Sequence, residues 1–498
     1  MSSNRVLLLG LDGLGQEFLD SPLVTEAAPN LVSLLRDGAV APLRSTFPPY
    51  TAPAWTSITT GVGPGRHGVF GFTDAAGHPV GDSSVAAPRL WDYVGRAGGR
   101  SVVINMPITH PARAIDGVLV SGMPVPPGTA YVTPHDHTAA LDADGYIVDV
   151  AVREDGSDGP ETLARLRAMT EARGRAAVRL AADTTWDLLV VVFVLPDRLG
   201  HPWWKYLVAG DPLFDTASGD ATRRGARECM RSLDRAVTGL VASLPSGTAV
   251  VACSDHGFGT LRADVFLDVA LAEAGLVDAP AGAGLLGRIG RSAIGQRLPT
   301  ALRRAARGAT AGGRGPVWTA TPYECGVRLT DEALTDDVVG VLRGLRDPDG
   351  VALVSAVHRR ADLYAGPHVE RAPDLLVELA DESVDLHDGF HAPSPWVSRA
   401  SVPWGTHRAD GVIAVQGAPG LPAERRWQLA KGEAQDVAPT VLDLLGLRVD
   451  GLDGTSLVAA TTEHRTVTAD ASATDAAVYT DEEESAVLEH LRGLGYVD

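Results

Sequence analysis

The chain is short of several things. It has only three cysteines in 498 residues, Cys229, Cys253 and Cys325. A sparse, odd set is not a disulfide framework, and this points to a reduced compartment, most simply the cytoplasm. Lysine is nearly missing: Lys205 and Lys431 are the only two, so almost all positive charge is arginine. A GC-rich genome is the plain explanation. Excess positive charge is missing too. The net charge of −19 argues against a surface for a nucleic-acid duplex or an anionic membrane. No run approaches the roughly 18 apolar residues that cross a bilayer. The N-terminus has no basic stretch ahead of a long apolar one, so Val6–Leu11 is read as a strand and not as a signal peptide.

What is present is a hydrophobic content of 45%, enough for a full interior. The length calls for one large α/β domain with insertions, or for two domains. Val6–Leu11, Leu188–Leu195 and Thr248–Cys253 are continuous apolar strands of the kind found in parallel sheets covered on both faces. Each leads into an acid: Asp12-Gly13, Pro196-Asp197-Arg198-Leu199-Gly200-His201, and Ser254-Asp255-His256-Gly257. Ligands gather outside the carboxyl ends of such strands. Asp12, Asp197, His201, Asp255 and His256 therefore share one sheet edge. Carboxylates crowded in this way repel one another unless a cation lies among them. The pattern points to a metal site with more than one ion.

Around these strands, residues 1–125 alternate strand and helix signals, and helices at Glu161–Asp183 and Thr222–Ser243 feed the second and third strands. A catalytic domain is expected over 1–275 and 321–460. Between its two parts lies an Arg-rich insertion, 276–320. Its arginines run from Arg288 to Arg314 against the single acid Asp278. They make either a solvated segment or an arm bringing positive charge to an anionic substrate. Residues 461–480 read as a linker and 481–498 as a C-terminal helix with acids in its first turn.

A second segment is Pro48-Pro49-Tyr50-Thr51-Ala52-Pro53-Ala54-Trp55. Pro53 suits the first turn of a helix, which puts Thr51 at or beside the helix start, where backbone N–H groups favour a phosphate. By itself a threonine there reads as a cap.

These segments, together with Gly65-Arg66-His67-Gly68, Gly405-Thr406-His407 and Asp436-Val437-Ala438-Pro439-Thr440, occur in one order. In this the chain resembles the type I phosphodiesterase/nucleotide pyrophosphatase family of the alkaline phosphatase superfamily, over most of residues 5–457. The resemblance implies an alkaline-phosphatase-like core with a mostly parallel central sheet, helices on both faces, and insertions. It implies two divalent ions of zinc type, with Mn or Fe also allowed by an all-carboxylate and imidazole donor set. One ion would be held by Asp197, His201 and His407. The other would be held by Asp12, Asp255 and His256, with the Thr51 oxygen as a further ligand. Thr51 would be the nucleophile, forming a phospho-threonine intermediate, and Ala52 N–H would be a donor to the phosphoryl group.

The expected activity is hydrolysis of a small-molecule phosphodiester or pyrophosphate. The alternatives are a phosphomonoesterase, a phosphoryl transferase, or a metal-binding scaffold without catalysis. Family members carry an asparagine three residues after the nucleophile, and this chain has Ala54, so Lys205, an arginine or backbone must supply that donor. Trp203, Trp204 and Tyr206 are either core or the lining of a substrate pocket, and Trp203 is counted among the candidate contacts. His67 reads as structural. His387 and His391 are rivals to His407, which its Gly405-Thr406 context favours.

Overall fold

The computed structural model describes residues 4–152, 159–279, 315–320, 324–390, 392, 394–417, 427–458, 464–468 and 479–493. The chain forms two compact units. The first comprises 1–259, 366–368 and 403–495, and the second comprises 260–365, 369–402 and 496–498.

The first unit is built on a ten-stranded sheet. Its strands include β1 (Val6–Leu11), β2 (Ala39–Arg44), β3 (Ser101–Met106), β4 (Gly117–Ser121), β5 (Val132–Thr133), β6 (Leu188–Phe193) and β7 (Ala249–Cys253). In space, β4, β3, β6, β1 and β7 lie side by side and all parallel. Every residue of β1, β3, β6 and β7 is buried, so both faces of this part of the sheet are covered. Beyond β7 the sheet turns antiparallel through Asp410–Gln416 to β2.

Register positions the acids. Leu11 pairs with Phe193, and Gly10 pairs with both Val192 and Cys253, so β6, β1 and β7 end level. Asp12, Asp197 and Asp255 follow those ends. The Asp12 N–H donates to the Phe193 carbonyl at 3.1 Å, and the Asp197 N–H to the Asp12 carbonyl at 3.0 Å. Gly13 turns the chain with φ +71°, and a Cβ there would lie 3.0 Å from the Asp197 Cα. Only glycine meets both demands without strain.

The expected strand Leu188–Leu195 ends at Phe193, and the segment after it is a helix, Leu195–Leu207. Pro196 sits in its first turn, where the missing N–H costs nothing. Pro202 lies inside it, and the Lys205 N–H donates outward to the Pro403 carbonyl at 2.9 Å.

The second unit has its own core, including Val265, Leu271, Val327, Leu342 and Val377. A four-stranded antiparallel sheet runs in the order Val317–Thr319, Gly326–Leu329, Leu375–Leu379, Val354–Arg359. The sequence reading joined 321–402 to the catalytic domain; these residues lie almost wholly in this second unit, because they pack on that separate core. Most of the Arg-rich segment, 280–314, lies outside the described residues, as do 461–463 and 469–478 of the expected linker. The C-terminal helix is Asp481–Gly493.

Candidate metal centre

Two groups of three ligand-type side chains converge at the level edge of the sheet. Asp197, His201 and His407 form one, and Asp12, Asp255 and His256 the other; within each group the ligand atoms lie within 4.8 Å of one another. In the first group His407 Nε2 is 3.1 Å from His201 Nε2 and 3.5 Å from Asp197 Oδ1. In the second, His256 Nε2 is 3.3 Å from Asp255 Oδ2 and 3.7 Å from Asp12 Oδ1. The groups adjoin: His256 Nε2 is 4.0 Å from Asp197 Oδ1, and the His256 and His407 rings stack with centroids 3.6 Å apart.

Helix geometry accounts for the first group. Asp197 and His201 are four residues apart on Leu195–Leu207 and so share one face. His407 comes from the strand Gly405–Arg408, which pairs with Gly257–Thr260 directly after His256.

Thr51 is the first residue of the helix Thr51–Thr60, and the cap position belongs to Tyr50. The hydroxyl therefore does no capping. Its Oγ1 lies 3.3 Å from His256 Nε2. Ala52 follows in the first turn, where N–H groups have no intrahelical acceptor.

Supporting contacts turn one atom inward on five of the six candidate ligands. Trp55 Nε1–H donates to Asp12 Oδ2 (3.1 Å), and Gly13 N–H to Asp255 Oδ1 (3.2 Å). The Arg198 guanidinium donates to Asp197 Oδ2. The Nδ1–H of His256 donates to the Gly257 carbonyl (3.0 Å), and that of His407 to the Pro49 carbonyl (2.8 Å). Each imidazole thus offers Nε2 to the site, as metal-ligating histidines do.

The electrostatics call for a cation. Burial, then Asp255 and Asp197, push the Asp12 carboxyl well above its usual range. Burial also pushes Asp255 well up. Burial acts on Asp197 in the same sense, but His201, His407 and Arg198 outweigh it and hold that carboxyl well below the usual range. Burial lowers His256, and burial with the neighbouring His256 lowers His407 to about 3, so both imidazoles are neutral and ligand-competent. Asp12 Oδ1 and Asp255 Oδ2 are buried with no hydrogen-bond donor among the described residues. Leaving such oxygens unmatched is costly. A divalent ion in the second group would satisfy them, and the oxygen and nitrogen donors of both groups suit such ions. The residues present fit the two ions.

The other candidates fall elsewhere. Trp203 and Trp204 pack in the main core at 2% and 0% exposure. Lys205 is also buried, which lowers its ammonium from the usual range. Ala54 is buried and offers no donor. His67 is buried against Ser57. His387 lies in the second unit, 3.5 Å from Asp264 Oδ1, and His391 lies outside the described residues. Sequence reasoning missed Trp55, Arg198 and the Pro49 carbonyl. Arg198, lying between two ligands four apart, carried a local signal; the other two carried none.

A model of type I phosphodiesterases/nucleotide pyrophosphatases matches residues 6–409. The chain belongs to this family. Membership supports a phosphodiesterase/pyrophosphatase-type hydrolase of the alkaline phosphatase superfamily. Among solved structures, this family member is similar to phosphonoacetate hydrolase from Sinorhizobium meliloti in complex with phosphonoacetate. The TM-score is 0.58 at 17% identity, over 88% of this chain and 94% of that one. It is also similar to murine ectonucleotide pyrophosphatase/phosphodiesterase 5, an inactive threonine-to-alanine form in complex with AMP. There the TM-score is 0.51 at 14% identity, over 91% and 97% of the two chains. At such identities these likenesses speak for the alkaline-phosphatase-like fold. No match is found among curated protein sequences. No helix among the described residues is long and apolar enough to cross a membrane.

Proposed function

We propose that the first unit hydrolyses small-molecule phosphodiesters or phosphoanhydrides with Thr51 as nucleophile. The observation that carries this reading is the Thr51 hydroxyl: relieved of capping, at a helix start, and 3.3 Å from a ligand atom of the second triplet. Asp197, His201 and His407 would hold one divalent ion, zinc-like or Mn or Fe. Asp12, Asp255, His256 and the Thr51 oxygen would hold the other. When bound, the pair supplies positive charge that favours a threonine alkoxide and balances charge on the phosphoryl group and leaving oxygen.

The Thr51 hydroxyl gives its proton to solvent, its Oγ forms a bond to phosphorus as the bond to the leaving oxygen breaks, and the leaving group takes a proton from solvent in return. Water attacks the phospho-threonine, restoring the hydroxyl and releasing the phosphorylated product. The Ala52 N–H is aimed out of the helix start and donates to a nonbridging oxygen, where the helix field also favours negative charge. Of the six ligands only His201 reaches solvent appreciably, its side chain 19% exposed, so approach is at that residue. Lys205, one turn after His201, is the cation proposed for the substrate's charge. Three cysteines that form no disulfide among the described residues favour a reducing compartment, and we place the protein in the cytoplasm.

The test is Thr51→Ala. The variant should retain two ion equivalents and lose about 10³-fold or more in turnover of bis-p-nitrophenyl phosphate. Turnover near that of the unmodified protein would remove Thr51 from the chemistry. A strong preference for monoesters over diesters would move the assignment to a phosphomonoesterase. Lys205→Met is expected to raise KM with kcat little changed.

A further inference from the structure

Arg198 stands between two acids. Its side chain is 3% exposed, and besides Asp197 it grips both oxygens of Asp149: Nε donates to Oδ1 at 3.1 Å and a terminal nitrogen to Oδ2 at 2.8 Å. The same nitrogen touches Met123 Sδ at 2.8 Å. Asp149, 2% exposed, belongs to no helix or strand. Its segment is fixed by Arg173, which donates to the Val148 carbonyl at 2.7 Å and the Ile147 carbonyl at 3.3 Å.

A third group then arrives from the far end of the sequence. His490 Nε2 lies 3.5 Å from Asp149 Oδ2. His490 sits on the C-terminal helix Asp481–Gly493, between Val487 and Leu491, which share its face and are fully buried. Just before that helix, Tyr479 stacks on His110 with centroids 5.7 Å apart. Two buried carboxylates share the Arg198 guanidinium, and the imidazole of His490 is a further donor facing Asp149. Buried charges need such partners.

Resting on the two-ion reading, we propose that Arg198, Asp149 and His490 form a positioning chain through which the C-terminal helix holds Asp197 in ligand geometry. Arg198 binds one Asp197 oxygen and so leaves Oδ1 facing His201 and His407. Asp149 fixes the plane of the Arg198 fork, and His490 ties Asp149 to the terminal helix. None of the three touches substrate. Partners of this kind change ion affinity or activity about 10- to 100-fold when removed.

Zinc titration into the chelator-stripped full-length protein tests the chain. The unmodified protein should take up two equivalents. Arg198→Met, and a Val487→Asp/Leu491→Asp variant with the helix undocked, should weaken one equivalent by about 10- to 100-fold and leave the other unchanged. Arg198→Lys, which keeps the charge but not the fork, should recover part of the loss. Glu482→Ala, on the exposed face of the helix, should change nothing. Wild-type affinity for both equivalents in Arg198→Met and in the undocked variant would overturn the proposal. Should either variant fail to fold, His490→Ala decides, since it removes only the outermost donor: one weakened equivalent supports the chain and two unchanged equivalents sink it. Uptake of fewer than two equivalents by the unmodified protein would count against the two-ion reading instead.

Discussion

His67 shows how far a single side chain can be committed to the fold. It is fully buried; its Nδ1 accepts from the Val69 N–H at 3.2 Å, so Nε2–H is the atom that donates to Ser57 Oγ at 2.9 Å. Both nitrogens are used by the neutral ring. Burial, with Arg89 and His368 nearby, pushes its pKa down to about 3. Unfolded, the ring titrates near 6.5, at about the ordinary value. Between those two values the unfolded chain binds the extra proton, so stability is constant above about pH 6.5 and falls as pH drops toward 3. From pH 7 to pH 5 the loss from this residue is about 2 kcal/mol. His67→Gln keeps a polar partner for Ser57 and removes the titration. Its thermal midpoint should therefore fall less between pH 7 and pH 5 than that of the unmodified protein, both saturated with zinc. Parallel falls would show that His67 does not resist protonation. The residue was legible as structural from its Gly65-Arg66-His67-Gly68 context, but its partner Ser57, on the helix that Thr51 opens, was not.

The helix Thr51–Thr60 is joined to β1 at one residue. A Cβ on Gly10 would lie 2.6 Å from the Trp55 ring, so the strand's glycine makes room for the helix's tryptophan. The same Trp55 sends its N–H to Asp12 Oδ2. One side chain thus sets the distance from helix to strand and the orientation of a candidate ligand. Trp55→Phe should separate the two roles. Packing is nearly kept, so the thermal midpoint of the ion-free protein should move little, while zinc affinity at one equivalent should fall about 10- to 100-fold. Unchanged affinity would reduce Trp55 to packing alone. Elements of strong apolar character were readable from sequence: β1 falls at its expected bounds, and β7 begins one residue later than expected. The helix Leu195–Leu207 was not, because Pro196 and Pro202 are punctuation in a local reading, whereas in the fold the helix is largely buried, Leu199 and Trp204 among its core residues. β2 carries Pro42, which argues against a strand, yet it pairs along its length with Asp410–Gln416. Trp55 itself, in a wholly buried helix, looks like any core aromatic.

At the scale of the molecule, the order of the chain explains why five candidate ligands were legible as a group and His407 was legible only through resemblance. Strands β1, β6 and β7 carry their acids on their own ends, and parallel register brings them level. The chain leaves the first unit at Gly259 and, apart from 366–368, returns at Pro403. His407 lies just past that return, so no local spacing links it to His256. The intervening unit has a core of its own, and all six ligands and Thr51 belong to the first. Zinc binding should therefore stabilise only one of the two cores. An ion that binds the folded state at 100 times its Kd adds about 2.7 kcal/mol, and chelation takes this away. Chelation further leaves Asp12 and Asp255 buried beside one another, with carboxyls that burial already pushes up. Calorimetry with and without chelator should show more than one transition, with one shifting to lower temperature on ion removal and another fixed. Limited proteolysis after chelation should open the chain around Asp12, Thr51 and Asp197 before the strands Leu375–Leu379 and Gly326–Leu329. A single transition moving as a whole would mean that the two cores unfold together, and no shift at all would mean that the carboxylates at the sheet edge hold no ion.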